Sequence, residues 1–250
     1  MRRLIIRPGA IGDVIVSLPA LEFLRAGYTE VWVPAAVVPL IRFADRVRAI
    51  SSTGLDLLEL GRAPAQLIET LAGFDDIISW YGANRPEFAG AVGGLPFRLF
   101  PALPGSSPAC HATDFYLQQV GAPPGATPRI ACRPQPRSRL ALHPYSGSPA
   151  KNWPLQHFQA LAVLAPFEWC HDRFDDLGEL AEWLAAARVF VGNDSGITHL
   201  AAAGGTPALA LFGPTKPAVW APRGATVIHR QPITAITVEQ VHRVVIDLLE

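Results

Sequence analysis

The constraint that weighs most on this chain is a single grammatical unit repeated in both halves. A short apolar run is followed by a glycine-bearing loop and then by a helical pattern. Leu4–Arg7 reads as a buried strand, Pro8–Gly12 as a tight loop and Asp13–Arg25 as a helix. Leu140–His143, the loop Pro144–Trp153 and a helix from Leu155 to about Ala165 repeat the unit, and Arg188–Gly192 with a helix from Ser195 to Ala203 repeats it again. Strands that alternate with helices this way predict parallel, doubly wound α/β sheets.

The remaining segments fill in that plan. Tyr28–Val33, Leu57–Leu60, Ile77–Trp80, Arg98–Phe100, Pro207–Phe212 and Val227–His229 are strand candidates. Ala35–Arg48, Ala63–Leu71, Thr113–Val120, Leu177–Ala187 and Val238–Leu249 carry helical patterns. Proline and glycine crowd Gly121–Arg137, which marks the linker. The organisation expected is an N-terminal Rossmann-like lobe over 1–122, a linker over 123–138 and a C-terminal lobe over 139–250, with a cleft between the lobes.

Composition removes several classes of function. Half of the 250 residues are hydrophobic and 17% are charged, so a sizeable core is available and disorder is excluded. Lys and Arg together number 21, as do Asp and Glu, and this balance argues against a nucleic-acid partner. Lys151 and Lys216 are the only lysines. Cys110, Cys132 and Cys170 are scattered, which suits neither a disulfide framework nor a zinc site and fits a reducing cytoplasm. The N-terminal apolar run is too short for a signal peptide, and no window approaches a membrane span. Arg42, Arg46 and Arg48 in the expected helix Ala35–Arg48 could touch an anionic membrane surface, although a solvated amphipathic helix is the plainer reading.

Three strand-to-helix junctions have the chemistry to hold a phosphate, because helix N-termini there offer free N–H groups. The first, Arg7-Pro8-Gly9-Ala10-Ile11-Gly12-Asp13, lacks the GxGxxG of nicotinamide sites, and Asp13 is either a cleft carboxylate or an N-cap. The second, after His143, contains Ser146, Gly147, Ser148 and Lys151 ahead of Pro154. The third, Val191-Gly192-Asn193-Asp194-Ser195-Gly196-Ile197-Thr198-His199, is an anion nest in which Asp194 suits hydroxyls or the adjacent loop. His199 is either a site residue or a satisfied core histidine. A fourth loop, Leu211–Pro217, brings Gly213 and Thr215 beside the third. No DxD-like metal motif stands at a strand end, and Asp175-Asp176 has no evident role.

Read together, RPGAIGDVIVSLPAL, LHPYSGSPAKNWPLQHFQAL and VGNDSGITHLAAAGGTPALALFGPT resemble glycosyltransferase family 9, the lipopolysaccharide heptosyltransferases, in both halves and in order. The resemblance implies a GT-B fold, with an acceptor lobe followed by a lobe that holds a nucleotide-sugar, typically ADP-heptose. It implies inverting, metal-independent sugar transfer to a glycan or glycolipid, carried out in the cytoplasm and at the inner membrane surface. The family's proposed general base falls on Asp13, in a loop with Gly9 and Gly12. Its phosphate-binding lysine falls on Lys151, beside Ser146, Gly147 and Ser148. Its donor motif falls on Asp194, Ser195, Gly196 and His199, and Gly213 and Thr215 are grouped with them. The chain departs from the family in its shorter length, in the compressed segment Pro166–Phe174 and in Lys216. The competing reading is a non-catalytic relative that binds a nucleotide-sugar without turnover.

Overall fold

The computed structural model describes every residue except 106–109, 134, 171–173 and 175. Asp175 and part of the compressed segment Pro166–Phe174 therefore lie outside the described residues. The N-terminal half runs β1 (Arg2–Ile6), α1 (Ile11–Phe23), β2 (Tyr28–Val33), β3 (Arg46–Ala49), α2 (Ala65–Ala72), β4 (Asp76–Ser79), α3 (Pro86–Ala91), β5 (Phe97–Leu99) and α4 (Ala112–Gln119). The C-terminal half runs β6 (Arg139–His143), α5 (Leu155–Leu164), β7 (Phe167–Trp169), α6 (Leu177–Ala185), β8 (Ala187–Asn193), α7 (Gly196–Ala203), β9 (Ala208–Phe212), α8 (Pro217–Trp220), β10 (Thr226–His229) and α9 (Val238–Leu249).

Each half forms a five-stranded parallel sheet, ordered β3-β2-β1-β4-β5 and β10-β9-β8-β6-β7. Parallel sheets are covered on both faces, so their strands read as continuous apolar runs. Leu4, Ile5 and Ile6 in β1, Val189–Val191 in β8 and Leu209–Phe212 in β9 are fully buried accordingly. The strand order reverses at β1 in the first sheet and at β6 in the second, and the glycine-bearing loops leave the carboxyl ends of β1, β6 and the central strand β8.

The core has three parts. One covers the outer face of the first sheet, with Trp32, Phe74 and Phe88, and another the outer face of the second, with Trp153, Phe158 and Val241. The third lies between the sheets and is continuous across both lobes. It joins Ile5, Val14 and Leu21 of the first lobe to Phe190, Leu184 and Leu200 of the second. Helices α1 and α7 run side by side through it. Residues 123–138 contain no helix or strand among those described, yet Ile130 is buried and its N–H donates to the Ala203 carbonyl at 2.9 Å.

Two expected elements are corrected. Ala35–Arg48 is not a helix: Ala35–Leu40 forms a 3₁₀ turn, and Arg46–Ala49 is an edge strand in register with β2, Val31 opposite Val47. Pro39 supplies no N–H to an α-helical ladder, and the edge of β2 offers the arginine-rich segment a row of partners instead. The basic helical face does not exist. Arg42 instead reaches the Ala131 carbonyl and Glu182 in the other half, and Arg48 lies over the Trp32 ring at 5.4 Å. Leu57–Leu60 is not a strand but a 3₁₀ turn over Leu55–Leu57 with a following turn, bracketed by Gly54 and Gly61 at positive φ. Helix α1 also begins two residues before its expected start. Among the described residues no helix is long and apolar enough to cross a membrane.

Candidate functional site

The first junction is held by a buried cation. Arg7 ends the apolar run of β1 and is 1% exposed. Its guanidinium donates to Ser17 Oγ at 3.0 Å, the Pro8 carbonyl at 2.6 Å, the Asp13 carbonyl at 2.8 Å and the Tyr116 hydroxyl at 2.9 Å. Burial lowers its pKa, an effect that Tyr116 and Asp13 oppose. The same burial pushes the Tyr116 hydroxyl up to about 12. Arg7 thus fixes the backbone of the loop and the first turn of α1.

Asp13 is the third residue of that helix rather than its N-cap, which is Ala10. Its Oδ2 accepts the Ala10 N–H at 2.9 Å, so the carboxylate folds back over the helix start, where it meets the positive end of the dipole. Gly9, at φ +122°, makes room for it: a side chain there would stand 2.9 Å from Asp13 Cβ.

In the second lobe, Asn193 ends β8 fully buried and ties two loops together. Its Oδ1 accepts the Trp153 N–H at 2.9 Å, and its Nδ2 donates to the Pro144 carbonyl at 2.7 Å. Ser195 caps α7 by accepting the Thr198 N–H, and Thr198 Oγ1 donates to the Asn193 carbonyl. The N–H groups of Gly196 and Ile197 at the helix start have no intrahelical acceptor. Lys151 Nζ lies 2.8 Å from Asp194 Oδ2, and Thr215 Oγ1 donates to the same oxygen at 2.6 Å. Asp194 therefore joins the second, third and fourth loops.

These junctions open into one cavity of about 340 Å³. Gly12 and Asp13 line it from the first lobe. From the second come Gly147, Lys151, Asp194, Ser195, Gly196, His199 and Thr215. Four other sequence candidates lie off its wall. Gly9 sits behind Asp13, and Gly213 packs against Ile233. Ser146 Oγ is engaged within its own loop, 2.9 Å from the Ser148 carbonyl and 2.7 Å from Asn152 Oδ1. Ser148 belongs to that same internal bracing. Lys216 is exposed at the N-cap of α8, and Asp176 is the N-cap of α6, accepting from Gly178 and Glu179.

His199 is 6% exposed, and its pKa is pushed down to about 4, mainly by burial. Asp194 and Asp13 pull the other way, while His111 and Lys151 reinforce the fall. The imidazole is therefore neutral near pH 7, a polar wall rather than a cation. Among the described residues no cluster of three or more His, Cys, Asp or Glu could hold a metal ion. What the cavity offers an anion is Lys151 and the N-terminus of α7, with the Asp13 carboxylate on the opposing wall.

Comparison with known proteins bears on this geometry. Residues 175–240 match the family described as glycosyltransferase family 9 (heptosyltransferase). The matched stretch lies within the C-terminal half. The E. coli ADP-heptose lps heptosyltransferase II superposes with a TM-score of 0.72 at 19% identity, covering 100% of this chain and 98% of that one. The glycosyl transferase family 9 protein of Veillonella parvula gives 0.74 at 17%, covering 99% and 97%. E. coli heptosyltransferase WaaC with ADP gives 0.72 at 18%, covering 99% and 100%. The fold is thus GT-B, shared with the heptosyltransferases. No curated protein sequence matches the chain.

The matched stretch contains Asp194, Ser195, Gly196, His199 and Thr215, but the cavity has further residues that sequence reasoning missed. Leu103 and Trp220 line it as an apolar rim. Nothing local marks either one, since each reaches the cleft only through the apposition of two lobes. Arg7 and Asn193 shape it from behind. Their only sequence signal is a polar residue closing an apolar strand immediately before a glycine or small-residue turn.

Proposed function

We propose that this protein is an inverting glycosyltransferase that moves a heptose-like sugar from a nucleoside-diphosphate donor, ADP-linked, to a glycan or glycolipid acceptor of the lipopolysaccharide core. Residues 139–250 act as the donor lobe, residues 1–122 as the acceptor lobe and 123–138 as the connection. The observation that carries this reading is that Asp13 of one lobe and Lys151 of the other line the same cavity. Inversion by a single displacement needs a base on the side from which the acceptor hydroxyl attacks and charge stabilisation where the diphosphate leaves. Asp13 takes the hydroxyl proton. Lys151 and the N–H groups of Gly196 and Ile197 receive the charge that grows on the diphosphate as the glycosidic bond breaks. Ser195, Thr215 and Asp194 hold those groups in place.

The arrangement is read as metal-independent because lysine and helix dipole together occupy the role a divalent cation would play. The acceptor is met in the cytoplasm, at the inner membrane surface when it is a glycolipid. The test is heptose transfer from ADP-heptose to a heptose-free lipopolysaccharide core, with and without EDTA. ADP, GDP, UDP and dTDP are compared in parallel by thermal shift. Transfer that survives EDTA, with stabilisation largest for ADP, is the expected result. ADP binding without transfer to any core acceptor would leave the non-catalytic relative as the reading. Loss of transfer in EDTA with recovery in magnesium would overturn the metal-free scheme.

A further inference from the structure

Helices α1 and α7 come from different lobes, yet their N-termini meet backbone to backbone at the cavity floor. A methyl group on Gly196 would lie 2.8 Å from Ile11 Cβ, 3.0 Å from the Gly12 backbone nitrogen and 3.2 Å from Ile11 Cγ2. From the other side, a methyl group on Gly12 would meet His199 Cδ2 at 3.4 Å and Gly196 Cα at 3.5 Å. The first distance is shorter than real Cβ contacts, so only glycine at position 196 lets the helices come this close. The residues next to this contact are Asp13 on one chain segment and Ser195 and Asp194 on the other, and all three line the cavity.

The lobes are also tied on both flanks. On one side Arg42 reaches Glu182 and the Ala131 carbonyl. On the other, His111 donates from Nε2 to the Ala221 carbonyl at 2.8 Å, and Asp114 pairs with Arg223. With both edges fastened and an apolar core continuous between the sheets, an added methyl at the centre has no easy direction in which to slide. The lobes must part by roughly 0.6 Å to restore ordinary contact.

We propose that Gly196, seated against Ile11 and Gly12, is a positioning residue that sets the separation between Asp13 and the donor groups Lys151 and Asp194. Its glycine serves lobe register rather than access for a phosphate. The proposal rests on the glycosyltransferase reading for its kinetic consequence but not for its structural one. Misplacement of reacting groups by about 1 Å costs up to roughly 10²-fold in rate. Gly196→Ala should therefore lower kcat for transfer to the heptose-free core by roughly tenfold, with ADP affinity within about threefold of wild type.

The discriminating partner is Ile11. Ile11→Gly removes the Cβ that the new methyl strikes at 2.8 Å and leaves only the Gly12 nitrogen at 3.0 Å, so Gly196→Ala/Ile11→Gly should regain part of the lost rate. Ile11→Ala keeps that Cβ and should not. A tenfold or greater loss of ADP affinity in Gly196→Ala that Ile11→Gly leaves uncorrected would overturn the proposal and make Gly196 a phosphate-cradle glycine. Should the wild type neither bind ADP nor transfer sugar, the functional reading fails, and unfolding midpoints decide the structural claim. Loss of stability in Gly196→Ala, relieved by Ile11→Gly but not by Ile11→Ala, supports the spacer, whereas additive losses refute it.

Discussion

Replacing Asp13 by Asn tests the proposed base most directly, and the structure sets how large each effect should be. Asp13 stands at the third position of α1 and accepts the Ala10 N–H at 2.9 Å. Asparagine retains an acceptor oxygen at that place, so the hydrogen bond survives in neutral form. What is lost is the interaction of a negative charge with the helix N-terminus, about 0.3–1 kcal/mol, and part of the charge-assisted bond. A total near 1 kcal/mol corresponds to a fall in Tm of roughly 2–4 °C for a chain of this length. Donor affinity should hold within about threefold, because the groups proposed to bind the diphosphate lie on the other lobe. Transfer should fall roughly 10²–10⁴-fold, the usual worth of a positioned general base. The assay is transfer from ADP-heptose to a heptose-free core acceptor, with ADP calorimetry and thermal unfolding alongside. Donor hydrolysis is no substitute, since water can attack without that base. Undiminished transfer in a folded Asp13→Asn variant would remove Asp13 from the chemistry.

Two further outcomes follow from the opposite wall. Lys151→Ala should weaken ADP binding by roughly 10- to 100-fold, the equivalent of one charge-assisted hydrogen bond of about 1.5–3 kcal/mol, and unchanged calorimetric affinity would reject the contact. Stability should fall as pH drops from 6.5 towards 4, because the unfolded chain protonates His199 near 6.5 while the folded chain resists until about 4. The contribution is intact above that window and gone below it, a loss on the order of 3 kcal/mol. Denaturant unfolding of wild type and His199→Gln across the window checks this, and parallel pH profiles would refute it.

The parts of the fold written in local chemistry were legible. Tyr28–Val33 and Val238–Leu249 have the bounds their patterns predict, because a strand buried along its whole length and a helix with one apolar face are both set by adjacent residues. The glycine-bearing junctions were legible for the same reason: a strand that must turn at once into a helix needs small residues at the bend. The segment Ala35–Arg48 was not, because its spacing of apolar residues resembles a helix while Pro39 and the free edge of β2 decide otherwise. The hydroxyls of Ser146 and Ser148 suggested an anion site, but the Ser146 side chain turns inward to brace its own loop. Arg7 reaches Tyr116 across 109 residues of sequence, and Leu103 and Trp220 line the same cavity from opposite lobes. Such pairings belong to the assembly of the lobes, which no window of sequence contains.

The charge balance of the cavity leads to a last expectation, concerning Asp194. Two helix N-termini each contribute roughly half a positive charge, Lys151 adds one, and Asp13 and Asp194 together remove two. With His199 neutral, the cavity wall is close to balanced before any donor enters. An incoming diphosphate therefore gains only if Lys151 can serve two anions at once. Its ammonium has three donors, and the contact with Asp194 at 2.8 Å occupies one of them. Asp194, itself steadied by Thr215, thus aims the ammonium rather than competing for all of it. Asp194→Asn keeps an acceptor for Thr215 and Lys151 but deletes a carboxylate charge whose repulsion of an anion about 5 Å away is on the order of 3 kcal/mol at an effective dielectric of 20. ADP affinity should consequently hold or tighten, the opposite sign to Lys151→Ala. Transfer should slow, because the lysine is no longer fixed where the leaving charge develops. Calorimetry with ADP and transfer kinetics on the same variant separate the two effects. An affinity loss as large as that of Lys151→Ala would show that Asp194 binds the donor directly, and the aiming role would fall.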